Sequence, residues 1–195
     1  MAMPSKSQIF EHWMNWLDKK GYDWGEPSCW ACGRFWWDRY DIKNPSATRK
    51  EIIKNWERVP LQRCHIVAKQ FGGSDEPSNL FLMCIDCHDR APNTPSVEAF
   101  LLWTEKQNWY ANFKEQVKQE INTYGLQHRI AELAELISSE ECRKEIAKSC
   151  GIHMNQRGRG SEITISTFIA ALYDFLNKRD KMKEFQDDIN LGLVP

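Results

Sequence analysis

No stretch of this chain of 195 residues approaches the ~20 consecutive apolar residues of a membrane-spanning helix. Nor does it open on the basic segment and apolar core of a secretory leader. Both absences point to an intracellular protein with no membrane partner. Net charge is close to nil, −1 at pH 7, so no overall basic field advertises nucleic acid. The sequence also lacks an internal repeat.

What is present suffices for a packed domain. Apolar residues make up 42% of the chain and charged residues 27%, which fits one domain or one core with a helical appendage. Seven cysteines, an odd number, argue for metal ligands and free thiols over disulfides in an intracellular protein. Of nine tryptophans, six (Trp13, Trp16, Trp24, Trp30, Trp36 and Trp37) fall in the first forty residues. They read either as an aromatic core over a small fold or as stacking platforms for bases.

Charge is uneven along the chain. Between Arg34 and Lys69 nine basic residues face four acidic ones, a local excess of five. A solvated helix face accounts for part of it, and a phosphate-facing surface accounts for more.

Residues 5–20 read as a helix. Ser5 and Gln8 have capping-box spacing, Gly21 stands where a left-handed residue ends a helix, and Ile9, Phe10, Trp13, Met14, Trp16 and Leu17 form an apolar stripe. His12 in that stripe reads as a surface histidine. Phe35 to Ile42 reads as a short strand, and Asn44-Pro45-Ser46 opens a helix running to about Val59. Leu61 to Ala68 and Asn79 to Met83 are the best strand candidates, joined by a loop of Gly, Asp, Pro and Ser. Helical patterns follow over 97–123, 126–149 and 164–178, with Gly125 and Gly151 as joints, and the last fifteen residues read as a loose tail. Their apolar residues read as core and dimer surface.

Two Cys-x-x-Cys hooks, Cys29 with Cys32 and Cys84 with Cys87, are separated by 51 residues. Zn²⁺ takes four soft ligands in a tetrahedron, and the two hooks supply four thiolates, so such an ion is structural. A redox role for the hooks lacks the accompanying βαβ pattern.

His65, Asn79 and His88 complete the constellation. An imidazole, whose ordinary pKa lies near ~6.5, suits deprotonation of water at neutral pH, and a histidine at a helix start suits a divalent ion. A lone strand histidine is more often a packed core residue; this one has company.

The segments Arg63-Cys-His-Ile-Val-Ala-Lys69, Gly72-Gly-Ser-Asp-Glu-Pro-Ser-Asn-Leu80 and Leu82-Met-Cys-Ile-Asp-Cys-His-Asp-Arg-Ala-Pro-Asn93 resemble the HNH nuclease family, in its zinc-bearing bacterial and phage branch. The resemblance covers Cys29 to about Asn93. It implies an α+β fold: a ββα-metal core at 29–95 stapled by a four-cysteine zinc site, after an N-terminal helix and Trp-rich lead-in at 1–28. A helical region at 96–195 would serve dimerisation or DNA recognition. It further implies a cytoplasmic endonuclease, bacterial or phage-encoded, of restriction or defence type and acting as a homodimer. Its substrate would be double-stranded DNA and its products 5′-phosphate and 3′-hydroxyl ends. His65 corresponds to the general base, Asn79 to the residue that ties the loop so the base points correctly, and His88 to a ligand of a catalytic Mg²⁺ or Mn²⁺.

Cys64 departs from the pattern, since Asp or His commonly precedes the base and helps hold the metal. A thiolate suits magnesium poorly. Either Cys64 ligates a softer ion, or Asp89 or Asn93 stands in, or the metal is weakly held. A zinc-stapled nucleic-acid-binding module without cleavage is the competing reading. Arg49, Lys50, Lys54, Arg63 and Lys69 are candidate nucleic-acid contacts within the basic stretch, and the helix around Arg49, Lys50 and Lys54 is also a candidate for reading the DNA sequence. Arg157 and Arg159, in a glycine-flexed loop, are candidates for base edges or else face water in a mobile connector.

Overall fold

The computed structural model describes residues 3–36, 39–155 and 160–190. They form an α+β structure in two compact units, Met1–Tyr110 and Ala111–Pro195, each with its own core. Among the described residues no helix is long and apolar enough to cross a membrane.

The first unit begins with helix α1, Lys6–Lys19, and its start follows directly from sequence. The Ser5 side chain accepts from the Gln8 amide while the Gln8 side chain accepts from the Ser5 amide at 2.8 Å. Helix α2, Arg49–Arg58, starts later than its Asn-Pro-Ser lead suggested. Asn44 spends its side chain on a turn, accepting from the Ser46 amide at 3.0 Å, and Thr48 with Glu51 forms the capping box that opens the helix. The short strand expected over 35–42 does not form among its described residues. The Cys29 amide instead donates to the Arg34 carbonyl in a tight turn, and the Ile42 amide to that of Gly25.

Strands β1, Gln62–His65, and β2, Leu80–Met83, pair antiparallel with His65 opposite Leu80 and Gln62 opposite Met83. Helix α3, Ile85–Arg90, follows β2 directly, and α4, Val97–Glu105, completes the unit. All four residues of β2 are buried because the aromatic lead-in covers the sheet. Phe81 packs edge-on against Trp30 at 5.1 Å and Phe100 at 5.7 Å, and Phe10 stacks on Trp56 at 4.5 Å. Such pairs add about 0.5–1.5 kcal/mol beyond the area they bury. Trp30 and Trp56 are core residues and Trp13, Trp16, Trp24 and Trp36 pack against that core, so these six serve packing. Trp37 lies outside the described residues.

The loop between β1 and β2 is tightly folded. Turns at Lys69–Phe71 and Pro77–Asn79 bracket Gly72 and Gly73, and the Trp13 indole donates to the Pro77 carbonyl at 2.9 Å. A Cβ on Gly73 would stand 1.7 Å from the Val67 carbonyl oxygen and 2.9 Å from Asn79 Nδ2. Gly73→Ala is therefore expected to cost about 2 kcal/mol or more. Its denaturation midpoint should fall visibly, and an unchanged midpoint would show that the loop can move aside.

Helix α5 (Trp109–Thr123) begins with the last two residues of the first unit and continues into the second, which also contains α6 (Ile130–Ser138), α7 (Glu140–Lys148), a β3–β4 hairpin (His153–Asn155 with Gly160–Glu162) and α8 (Ile165–Asn190). Leu126, Leu133, Leu136, Ile146, Ile169 and Leu172 form part of its core. Three expectations are corrected here. The helix over 97–123 breaks at 106–108, where the Trp109 amide donates to the Cys32 carbonyl at 2.9 Å and not to a helical one. The helix over 126–149 breaks at Ser139, whose hydroxyl caps α7 by accepting from the Cys142 amide. The expected loose tail is helical as far as Asn190, the remaining residues 191–195 lying outside the described ones, and it continues a helix that Arg129 and Glu132 hold through Asp180 and Arg179 just before it.

Candidate functional site

The cysteine hooks meet because the first is laid along β2. The Trp30 amide donates to the Leu82 carbonyl at 3.0 Å, which carries Cys29 and Cys32 to the end of the strand where Cys84 stands. The turn closes through the Gly33 amide to the Cys29 carbonyl at 2.9 Å, with Gly33 in the left-handed region at φ 74°. The second hook winds into α3, the His88 amide donating to the Cys84 carbonyl at 2.9 Å. An Arg34–Asp86 ion pair at 2.9 Å ties one hook to the other.

The four Sγ atoms of Cys29, Cys32, Cys84 and Cys87 all lie within 4.8 Å of one another, and three of the four residues are buried. Cys32 and Cys84 stand 3.8 Å apart. Four thiolates at the usual Zn–S bond of ~2.3 Å from a tetrahedral centre lie ~3.8 Å from each other, so the donors fit one ion such as zinc in kind, number and spacing. Burial raises the Cys29 thiol, whereas hydrogen bonds from Cys29, Cys32 and Cys87 favour the thiolate of Cys84.

His65 closes β1. Successive strand residues face opposite sides, and Cys64, 6% exposed, goes to the core while Arg63 and His65 share the other face. Burial pushes the Cys64 thiol up to about 11, and its Sγ donates to the His65 carbonyl at 3.7 Å. It behaves as a small packed hydrophobe.

Asn79 spans the loop. Its Oδ1 accepts from the Val67 amide at 2.9 Å, and its Nδ2 donates to the Val67 and Ser74 carbonyls at 2.9 and 2.8 Å. Every polar atom of the side chain thereby holds the segment after His65 against the start of β2.

Asp75 was given no role by sequence reasoning, yet it touches the proposed base. Its Oδ1 lies 2.9 Å from His65 Nε2 and its Oδ2 2.6 Å from Lys69 Nζ. The available signal was a carboxylate ten residues after the histidine in a loop that two glycines fold back. Lys69 and then His65 hold the Asp75 carboxyl below its ordinary value of 3.8. A depressed carboxyl pKa stabilises the fold above the ordinary value, and the contribution disappears as pH falls through the lower, folded value. Wild type and Asp75→Asn should therefore differ in denaturant midpoint at pH 6 and converge below pH ~3.8. A gap that persists or widens in acid would contradict that assignment.

His88 sits on α3 with its side chain 41% exposed and Nδ1 3.7 Å from Asp89 Oδ1. Lys50 and Lys54 are exposed on α2, while Arg49 pairs with Glu11 at 2.9 Å. Arg63 donates to the Pro4 carbonyl at 2.9 Å. Arg157 and Arg159 lie outside the described residues. The cysteines, and separately His65 with Asn79 and its loop, are thus brought into defined arrangements.

Against protein-family models, curated proteins and solved structures, the chain gives no match.

Proposed function

We propose that this chain is a metal-dependent endonuclease of HNH type that hydrolyses phosphodiester bonds in double-stranded DNA. The observation that carries the reading is the order β1–loop–β2–α3, with His65 held by a carboxylate, Asn79 tying the intervening loop, and His88 exposed on the helix. The four cysteines would bind structural zinc where β2 meets α3, fixing the helix that carries His88.

His65 takes a proton from a water whose oxygen bonds to phosphorus. The bond to the 3′ oxygen breaks, that oxygen gains a proton from solvent, and 5′-phosphate and 3′-hydroxyl ends result. Arg63, on the same face of β1 as His65 and with one guanidinium nitrogen on the Pro4 carbonyl, would contact the phosphate, and the exposed Lys50 and Lys54 of α2 would add contacts to the DNA backbone. His88, with Asp89 beside it, would supply protein ligands to a divalent ion. Mg²⁺ or Mn²⁺ bound there supplies charge neutralisation at the scissile phosphate. Cys64 would not join that ligand set, because strand alternation turns it to the face of β1 opposite His65, and the ligands the chain itself would offer there are His88 and Asp89. A restriction or defence role in the cytoplasm and a homodimer are parts of the same proposal.

Supercoiled plasmid incubated with zinc-loaded protein and Mg²⁺, then Mn²⁺, tests the reading. Nicked or linear product is expected, discrete fragments marking site-specific cutting and a smear nonspecific cutting. Binding without product under either ion would favour the non-cleaving module.

A further inference from the structure

We infer that Asp75, fixed by Lys69, is a positioning residue that leaves Nδ1 of His65 as the atom that takes the proton. This rests on the nuclease reading of His65 but adds a residue and an atom to it.

An ionised carboxylate only accepts hydrogen bonds, so the 2.9 Å contact between Asp75 Oδ1 and His65 Nε2 requires hydrogen on Nε2. A neutral imidazole carries one N–H, and its other nitrogen, Nδ1, then keeps a lone pair. Lys69 engages the second carboxylate oxygen at 2.6 Å, so Asp75 has little freedom to turn away from the ring. The backbone at Ser74 is itself fixed by Asn79 Nδ2 at 2.8 Å, and Gly73 lets the loop pass close to Val67. Asn79 therefore orients the base through Asp75: the asparagine sets the loop, the loop sets the carboxylate, and the carboxylate sets the ring. Once His65 holds the proton, the imidazolium faces a carboxylate, which favours the charged product of the transfer.

The same contacts revise Lys69, assigned from sequence to phosphate binding. With its ammonium on Asp75, its larger role is to hold that carboxylate in place. An ordinary exposed ion pair would stabilise the fold by ~0–1 kcal/mol and do nothing else, so the test must read more than stability.

Full-length, zinc-loaded protein is compared as wild type, Asp75→Ala and Asp75→Asn by ¹H–¹⁵N spectra of labelled histidine and by cleavage kinetics on plasmid. In wild type the His65 Nε2 proton should be visible and slow to exchange, and in Asp75→Ala it should vanish into solvent exchange. Asp75→Ala should lose at least about tenfold in kcat, and no more than the ~10²–10⁴-fold that general-base catalysis supplies, with KM unchanged. Asp75→Asn, whose amide oxygen can still accept from Nε2–H, should lose less. Wild-type cutting and a dead His65→Ala alongside full activity in Asp75→Ala would overturn the inference and leave the nuclease reading standing. An inert wild type would instead remove the nuclease reading, and the spectra would decide alone whether Asp75 fixes the tautomer: a wild-type ring protonated on Nδ1 and bare on Nε2 refutes it.

Discussion

His65→Ala is expected to lower the rate of plasmid cleavage by ~10²–10⁴-fold while leaving binding of the same DNA unchanged. The size follows from what is removed. Proton transfer to a placed imidazole has no nearby substitute, since Asp75 is held by Lys69 below the ordinary carboxylate range and is too weak a base. The binding half of the expectation follows from position. The side chain of His65 is only 17% exposed and its polar partner is Asp75, so little DNA-contacting surface goes with it. Loss of the ring should not unfold the hairpin, because Leu80, Phe81 and Leu82 anchor it from the buried side and Asn79 holds the loop independently. Gel-shift measurement beside the cleavage assay separates the two effects. Equal loss of binding and cleavage would mean that His65 grips the substrate and does not activate water.

Cys84→Ser is expected to cost the first unit its folded state. Structural zinc in small domains binds with ~10–16 kcal/mol at neutral pH, against ~5–15 kcal/mol for the total stability of a typical domain. A serine hydroxyl is not a thiolate, and the cluster would keep three ligands around an ion that wants four. The consequence spreads because Cys29, Trp30, Cys84 and Cys87 belong to the same buried cluster as Phe81 and Trp56. Metal content should fall from one zinc per chain, and the near-ultraviolet circular dichroism of the packed tryptophans should collapse. Cys142→Ser, outside the four-cysteine group and packed against the other core, should change neither. A Cys84→Ser protein with native spectra would mean that the aromatic core folds without metal.

The parts of this fold that were legible in the sequence are those encoded by short-range chemistry or by strict pairing. Ser5 with Gln8 announced α1, and two hooks of equal spacing announced a four-thiolate cluster, because a tetrahedral ion leaves few other uses for them. The hairpin could be read from its apolar strands and its glycine loop. What escaped depends on contacts made at a distance. The break at 106–108 carries a weak local signal, Asn108 of N-cap type just before α5, and its other support is made at a distance, where Trp109 gives its amide to the Cys32 carbonyl. The ion pairs of Arg179 and Asp180 on α8 with Glu132 and Arg129 join residues about fifty positions apart, whereas a charged stretch read alone looks solvated. Cys64 reads as a possible ligand from its neighbour His65, and only the formed strand shows the two side chains on opposite faces. Asp75 stood in plain view inside the motif, but a carboxylate in a loop has no direction until the loop folds.

The most direct test of the nuclease reading is the chemistry of the ends. Plasmid digested by zinc-loaded wild type in Mg²⁺ or Mn²⁺ should give nicked or linear products that a DNA ligase reseals without prior treatment. Such resealing requires a 5′-phosphate beside a 3′-hydroxyl, and His65→Ala at equal zinc content should give no product. Wild-type protein that binds the plasmid and leaves it intact with both ions, or cuts it equally well without His65, would contradict the account.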